Sequence, residues 1–464
     1  MRTVYTEPAS SPTDTTQLLD GVDAPCLKHD RTRHFLRTHG RLFILVRGPP
    51  GSGKNIVVAR LEELYMDSSN LPGSDVSECQ NSLTASASHD TTFSKIEAFM
   101  KNDIPMLCRH TGIMVWHITK YLALTSKYGY TVILVDMPHQ SVSDPKVPYD
   151  AINSGMGQSN QVMQWEDVHP FAMGWSPRPK DAAWLLRRFQ QIRNTLHDEG
   201  LALALKDVAS SRFYPFCLAK LCLFGHSVAD KDYCHSERVR HAYGRSDTIH
   251  VFGYAVTQGF VFAMVDLSED QASLTGSLDS MDKADGDVEA VTRQLSLSLG
   301  FQTWEQVSCT VDISKFAPME GCADKGNLRL GDKIILKDVH PSRITFMPLG
   351  LINGTEYSYS KAVVACRELL SSRLRSWTET AVAGVKCAKS VSGIEVYGSA
   401  VPTVDACLLV VDRATVELDV VFTGYYQPHT TPLSGRSWSG AQNTGSTRQP
   451  YNRRGHYRPF NRCH

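Results

Sequence analysis

Cysteine is present but never paired. Twelve cysteines are spread from Cys26 to Cys463, and no two form a Cys-x-x-Cys pair or a regular framework. This excludes the usual zinc module and the disulfide scaffold of a small secreted domain, and leaves reduced thiols. Cys366 and Cys407 sit in apolar surroundings, where a thiol behaves as a small hydrophobe. An excess of one charge is also missing. The chain carries 48 Lys and Arg against 48 Asp and Glu, so it has no global field to draw in nucleic acid or an acidic membrane, and any such affinity is local. No apolar run reaches the ~18 residues of a membrane helix. Ile249 to Val265 comes nearest, but Gly253, Gln258 and Gly259 break it into two β-rich runs of a hairpin. Met1 to Ser11 has no apolar stretch of signal-peptide length. The expectation is a soluble, cytoplasmic chain.

At 464 residues the chain is too long for one comfortable core, and two domains are expected. Residues 1–40 are polar, with Pro8, Pro12 and many Ser and Thr, and read as disordered. Residues 41–160 alternate strands and helices: Leu42 to Val46, Ile56 to Met66, Thr92 to Lys101, Pro105 to Cys108, Val115 to Tyr128 and Thr131 to Asp136. That alternation predicts an α/β domain built on a doubly wound parallel sheet. Asp67 to Asp90 and Pro138 to Asn160 are turn-rich connections. Residues 161–426 begin with a helix over Asp181 to His197 and then change to strand pairs: Leu218 to Phe224, Thr248 to Thr257, Phe260 to Leu267, Arg343 to Met347, Ala406 to Asp412 and Val416 to Thr423. With a helix over Ser358 to Arg375, they predict an α+β domain. Ser268 to Gln294 is polar and acidic and reads as a surface loop. Residues 427–464 hold six arginines from Arg436 to Arg462, four aromatics and no Asp or Glu, the composition of a disordered basic tail. Such a tail contacts RNA by counterion release and stacking, or only solubilises the chain.

One motif carries chemistry on its face. Gly48, Gly51, Ser52, Gly53, Lys54 and Asn55 lie in a Gly-x-x-x-x-Gly-Lys pattern between a strand and a helix. There, backbone N–H groups and the helix's positive end cradle a phosphate, and the lysine adds a point charge. The residue after the lysine is usually Ser or Thr, which ligates Mg²⁺; here it is Asn55, a weaker ligand. Asp136 ends a buried strand where such domains keep a magnesium-holding carboxylate, and it is equally an ordinary turn former. Bound ATP or GTP with Mg²⁺ is the corresponding cofactor expectation. Asp75 reads as a solvated loop residue rather than a base.

The loop, the Val115 to Val135 segment with its Lys-Tyr-Gly-Tyr, Phe171-Ala-Met-Gly-Trp175 and Val421-Phe-Thr-Gly-Tyr-Tyr426 occur in an order that resembles the 2′,3′-cyclic-nucleotide 3′-phosphodiesterase family. The likeness runs over roughly Arg41 to Tyr426. It implies a polynucleotide-kinase-like P-loop domain followed by a 2H phosphoesterase domain, where two His-x-Thr strands hydrolyse a 2′,3′-cyclic phosphate at a nucleotide or RNA 3′ end without metal. By that likeness Cys222 and Phe224 fall at the first His and Thr, and Arg343 and Thr345 at the second pair. Only Thr345 is retained, and an arginine cannot relay a proton. The resemblance therefore implies weak or lost turnover with nucleotide or RNA binding kept. Displaced catalysis by His226 or His340, or a non-catalytic scaffold, remain open alternatives. Arg109-His110-Thr111-Gly112 stands where the family has Asp-Thr-Asn. The family's prenylated Cys position is Asn461, so no lipid anchor is expected.

Overall fold

The computed structural model describes residues 19–48, 52–65, 86–110, 115–137, 146–148, 162–164, 166–198, 208–209, 216–225, 227–276, 328–330, 343–352, 359–374, 388–391, 394–398 and 407–426. The basic tail, Asp75, Asn461, His226, His340 and most of both turn-rich connections lie outside them.

Three near-continuous apolar runs form a parallel sheet. Strands β1 (Leu42–Arg47), β2 (Met106–His110) and β3 (Thr131–Asp136) lie in the order β2-β1-β3. All six residues of β1 are buried, as a central parallel strand requires. Helices α2 (Lys54–Tyr65), α3 (Ser86–Lys101) and α4 (Val115–Tyr128) supply Val57, Leu61, Ile96, Met100, Ile118 and Leu122 to the same core. Each such side chain contributes roughly 1.5–3 kcal/mol of burial, set against the cost of ordering the chain.

Helix α1 (Asp30–Arg37) precedes this sheet and departs from the expectation of disorder over residues 1–40. Its polar sequence hides a narrow apolar face. Phe35 and Leu36 are buried, Thr32 Oγ1 accepts from the Ser246 amide at 3.0 Å, and Arg178 Nη1 donates to Thr38 just beyond the helix at 3.0 Å.

The rest is a ten-stranded antiparallel sheet. Its main strands are β4 (Ala172–Pro177), β5 (Cys217–Leu221), β6 (Ser246–Val256), β7 (Phe260–Asp266), β8 (Ile344–Ile352), β9 (Ile394–Gly398) and β10 (Leu408–Tyr425). They run β9-β10-β6-β7-β8, with β4 on the second half of β10 and β5 on β4. Three short strands complete the sheet, and two more pair with each other in a separate two-stranded sheet. Thr345 of β8 donates to the Leu218 carbonyl of β5 at 3.3 Å, so the two ends of the path curl toward one another. The two strands expected at Ala406 to Asp412 and Val416 to Thr423 are one strand, with a register shift between Val411 and Val416 where it bends. Helices α5 (Pro179–Asp198), α6 (Val228–His235), α7 (Glu237–Ala242) and α8 (Tyr359–Leu374) complete a mixed α/β architecture. No described helix is long and apolar enough to cross a membrane.

Two segments that carry the family likeness are neighbours. Val421 pairs with Ser176, Phe422 with Trp175, Thr423 with Gly174 and Tyr425 with Ala172. Trp175 and Phe422 meet edge to face at 5.2 Å. The open edge of β3 then docks on this pair: its Leu134 amide donates to Tyr243 Oη at 2.9 Å, and Thr423 Oγ1 donates to its Val132 carbonyl. The described residues all fall within one contact unit, Met1–Pro428.

Candidate functional site

The Gly-rich loop begins where β1 stops. The Gly48 amide donates to the His110 carbonyl at 3.2 Å. A Cβ on Gly48 would lie 2.5 Å from Ser52 Oγ and 2.8 Å from Met137, so only glycine allows this approach. Gly53 has φ +82°, and its carbonyl accepts from Ile56 and Val57 to open α2. Lys54 at the start of that helix is 5% exposed. Ser52 Oγ is buried without a hydrogen-bond partner among the described residues. An orphaned hydroxyl and a helix start are the described features that suit an anion. Gly51 lies outside the described residues.

The expected magnesium ligands are otherwise engaged. Asn55 Oδ1 accepts from Arg109 Nη1 at 2.7 Å. Asp136 receives a two-pronged contact from Arg47, Nε to Oδ1 at 2.7 Å and Nη2 to Oδ2 at 2.6 Å. Arg47 is fully buried and also donates through Nη1 to the Glu166 carbonyl at 2.8 Å. Mg²⁺ demands near-octahedral oxygen ligands at about 2.0–2.1 Å. Here a guanidinium donates to each candidate oxygen and sets a positive charge beside it. As placed, Asn55 and Asp136 are a poor fit to the metal, whereas the buried Ser52 hydroxyl and the start of α2 beside them suit an anion.

In the antiparallel part, β5 ends at Leu221, before the residues expected to continue it. The Cys222 and Leu223 amides both donate to the Phe171 carbonyl, at 2.8 and 3.0 Å. Leu223, Phe224 and Gly225 then take positive φ of 40°, 59° and 69°. The strand expected through Phe224 is thus a left-handed turn, and the Phe224 ring packs on Phe171 at 5.4 Å. Hydrophobic pattern alone did not distinguish this turn from a strand. The buried Cys222 thiol donates to the Lys220 carbonyl at 3.8 Å and lies beside Cys234. The neighbouring Cys234, with burial, pushes the Cys222 pKa up, while Cys222 and His169 pull Cys234 down.

Arg343 donates to the Leu267 carbonyl at 2.6 Å and pairs with Asp266 at 3.1 Å. Burial raises the Asp266 pKa, with Arg343 opposing. Thr345 is buried against β5, facing the Leu218 carbonyl and the Cys217 thiol. No hydrogen bond or ion pair among the described residues joins Cys222, Arg343 and Thr345 to one another. Each belongs to a separate local network.

A different constellation escaped the sequence reading. Asp167, His169 and His235 converge, with one ligand atom of each within 4.8 Å of the others. Asp167 and His169 precede β4, whereas His235 ends α6, so no local spacing announces the group.

No family model matches the chain. A 2′,3′-cyclic-nucleotide 3′-phosphodiesterase from Pongo abelii is 22% identical over 336 residues, which cover 62% of this chain and 72% of that protein. The residues quoted above and this alignment both make the chain similar to that enzyme at a distance.

Proposed function

We propose that this chain is a distant relative of the cyclic-nucleotide phosphodiesterases that binds nucleotide or RNA 3′ ends and hydrolyses 2′,3′-cyclic phosphates to 2′-phosphates weakly or not at all. The observation that carries this reading is the fate of the two expected histidine positions. Cys222 is buried beside Cys234 just before a left-handed turn, and Arg343 is committed to Asp266 and the Leu267 carbonyl. Neither offers a group that exchanges a proton near neutral pH, because burial and its partner raise the thiol's pKa and a guanidinium does not deprotonate. General acid and general base each supply about 10²- to 10⁴-fold, so loss of both leaves little.

The P-loop half acts in the same reading as an anion site. Gly48, Gly53, Lys54 and Ser52 bind and orient a phosphate, and Arg109 provides part of the positive charge that magnesium supplies elsewhere. ATP or GTP is the ligand class. The domain division at about residue 160 then separates a kinase-like half from a 2H-phosphoesterase-like half, and the basic tail adds RNA contact.

The test pairs binding with turnover on the full chain. A 2′-nucleotide should bind, while hydrolysis of 2′,3′-cyclic AMP should stay close to the uncatalysed background. Turnover at ordinary enzyme rates, abolished by His226→Ala or His340→Ala, would replace this reading with displaced catalysis. Failure to bind either ATP or a 2′-nucleotide would leave only a scaffold.

A further inference from the structure

We propose that Asp167, His169 and His235 form a binding site for Zn²⁺, which ties the chain entering β4 to the end of α6. Two imidazoles and one carboxylate converge within 4.8 Å. His235 Nε2 lies 3.6 Å from Asp167 Oδ2, and the two imidazole centroids are 5.4 Å apart. In a tetrahedral zinc site with ligand bonds of about 2.0–2.1 Å, neighbouring ligand atoms are about 3.3 Å apart. The present spacing closes to that value by side-chain rotation. His235 and Asp167 are about half exposed and free to make it, at 53% and 55%.

The backbone builds the site from both sides. Asp167 and His169 lie two residues apart in the irregular segment that leads into β4, and their side chains converge on His235. The His169 ring rests directly on Gly225, where a Cβ would come within 2.6 Å of its Cγ and Cδ2. Gly225 also holds φ +69°, so both the turn and the ring's seat select glycine. His169 also lies beside Cys234, an outer neighbour of the kind that orients a ligating imidazole. On the other side, Ser227 and Asp230 make a reciprocal capping box that fixes the start of α6 and so the place of His235 at its end.

The donor set excludes the hard cations and suits zinc. Imidazole nitrogen suits zinc and is a poor ligand for Mg²⁺ or Ca²⁺, which prefer all-oxygen sites. Zinc also outranks Fe²⁺ at a nitrogen and oxygen site of this type. The staple would cross beside the Cys222 turn and is independent of the phosphate loop and of any hydrolysis.

The experiment strips the full-length protein with a chelator and titrates ZnCl₂ by calorimetry, with thermal melts of the same samples. Wild type should bind one Zn²⁺ tightly and melt higher with it, and Mg²⁺ should not compete. His235→Ala and Asp167→Asn alter exposed side chains and should each weaken that site at least tenfold and abolish the zinc-dependent shift, with zinc-free melts near wild type. Should His235→Ala lower the zinc-free melt, Asp167→Asn decides. Equal zinc binding by wild type and both variants would place the ion elsewhere and overturn the proposal, as would a wild type that takes up none.

Discussion

Arg47 and Asp136 are register partners on neighbouring parallel strands, and their side chains meet through two parallel hydrogen bonds of 2.7 and 2.6 Å. The guanidinium is fully buried, whereas the carboxylate is 39% exposed. The pair is therefore asymmetric: water can replace the arginine at Asp136, but nothing comparable reaches Arg47. Asp136→Ala, which removes the carboxylate facing a buried cation, should cost about 3–5 kcal/mol. Arg47→Met should cost less, about 1–3 kcal/mol, because the acid rehydrates and the methionine fills most of the space. Urea unfolding of both variants checks the order. A larger loss in Arg47→Met would mean that the pair does not dominate this strand end.

The same contact bears on the phosphate loop. With Asp136 and Asn55 held by arginines, nucleotide affinity should be nearly indifferent to Mg²⁺, and ATP hydrolysis should be absent. Lys54→Ala should weaken ATP or GTP binding at least tenfold, since the ammonium and the loop amides act on one phosphate. Fluorescence titration with and without Mg²⁺ measures both. Strongly magnesium-dependent affinity would mean that the arginines release their oxygens on binding.

Grafting the family's catalytic pattern should fail. In a Cys222→His, Phe224→Thr, Arg343→His variant, the new threonine sits at φ +59°, which costs a β-branched residue about 1–2 kcal/mol. The imidazole introduced at Cys222 lies beside Cys234 and the one at Arg343 beside Asp266, while Thr345 faces Cys217 and Leu218. Assay with 2′,3′-cyclic AMP should give no gain over wild type. A clear gain would show that the two strands align as the family likeness implies.

His39 predicts a pH dependence of stability. It is 2% exposed and packs against Phe35, neither ring nitrogen has a hydrogen-bond partner among the described residues, and burial followed by the nearby Arg178 charge lowers its pKa to about 3. An unfolded histidine titrates near about 6.5. Between those values the unfolded chain takes up a proton that the folded chain refuses. Stability is thus full above about pH 6.5 and falls as the pH drops toward 3, by at most about 1.4 kcal/mol per unit. His39→Leu should flatten this limb relative to wild type in urea melts from pH 7 to 4. Parallel curves for the two proteins would show that His39 is not the group responsible.

Removal of residues 427–464 should flatten the salt dependence of RNA binding, because six arginines leave with the tail and only a slightly negative remainder stays. An unchanged slope of log affinity against log salt would locate the RNA contact elsewhere.

Much of this arrangement was legible in the sequence. Leu42 to Val46 and Thr131 to Asp136 are apolar runs stopped by turn formers, and Phe260 to Asp266 follows a hairpin signal; all three are strands. Helix α1 was hidden because Asp30, Arg31, Arg33 and Arg37 outnumber its two core residues, and tertiary contacts at Thr32 and Thr38 hold it in place. Cys222 and Phe224 read as strand because the run is apolar, but two amides converging on the Phe171 carbonyl turn the chain there. The partners of Asn55 and Asp136, and the meeting of Asp167 and His169 with His235, depend on long-range packing that no periodicity encodes.

The docking of β3 on Thr423 also governs how the chain is made. The group that caps the Val132 carbonyl comes 291 residues later. At about 5–20 residues per second, a ribosome needs roughly 15–60 s to deliver it. Throughout that interval the nascent parallel sheet carries a bare, apolar edge able to pair with a neighbouring chain. A segment ending after Asp136, released without the rest, should therefore be handled by the cell as a chaperone client rather than as a finished product.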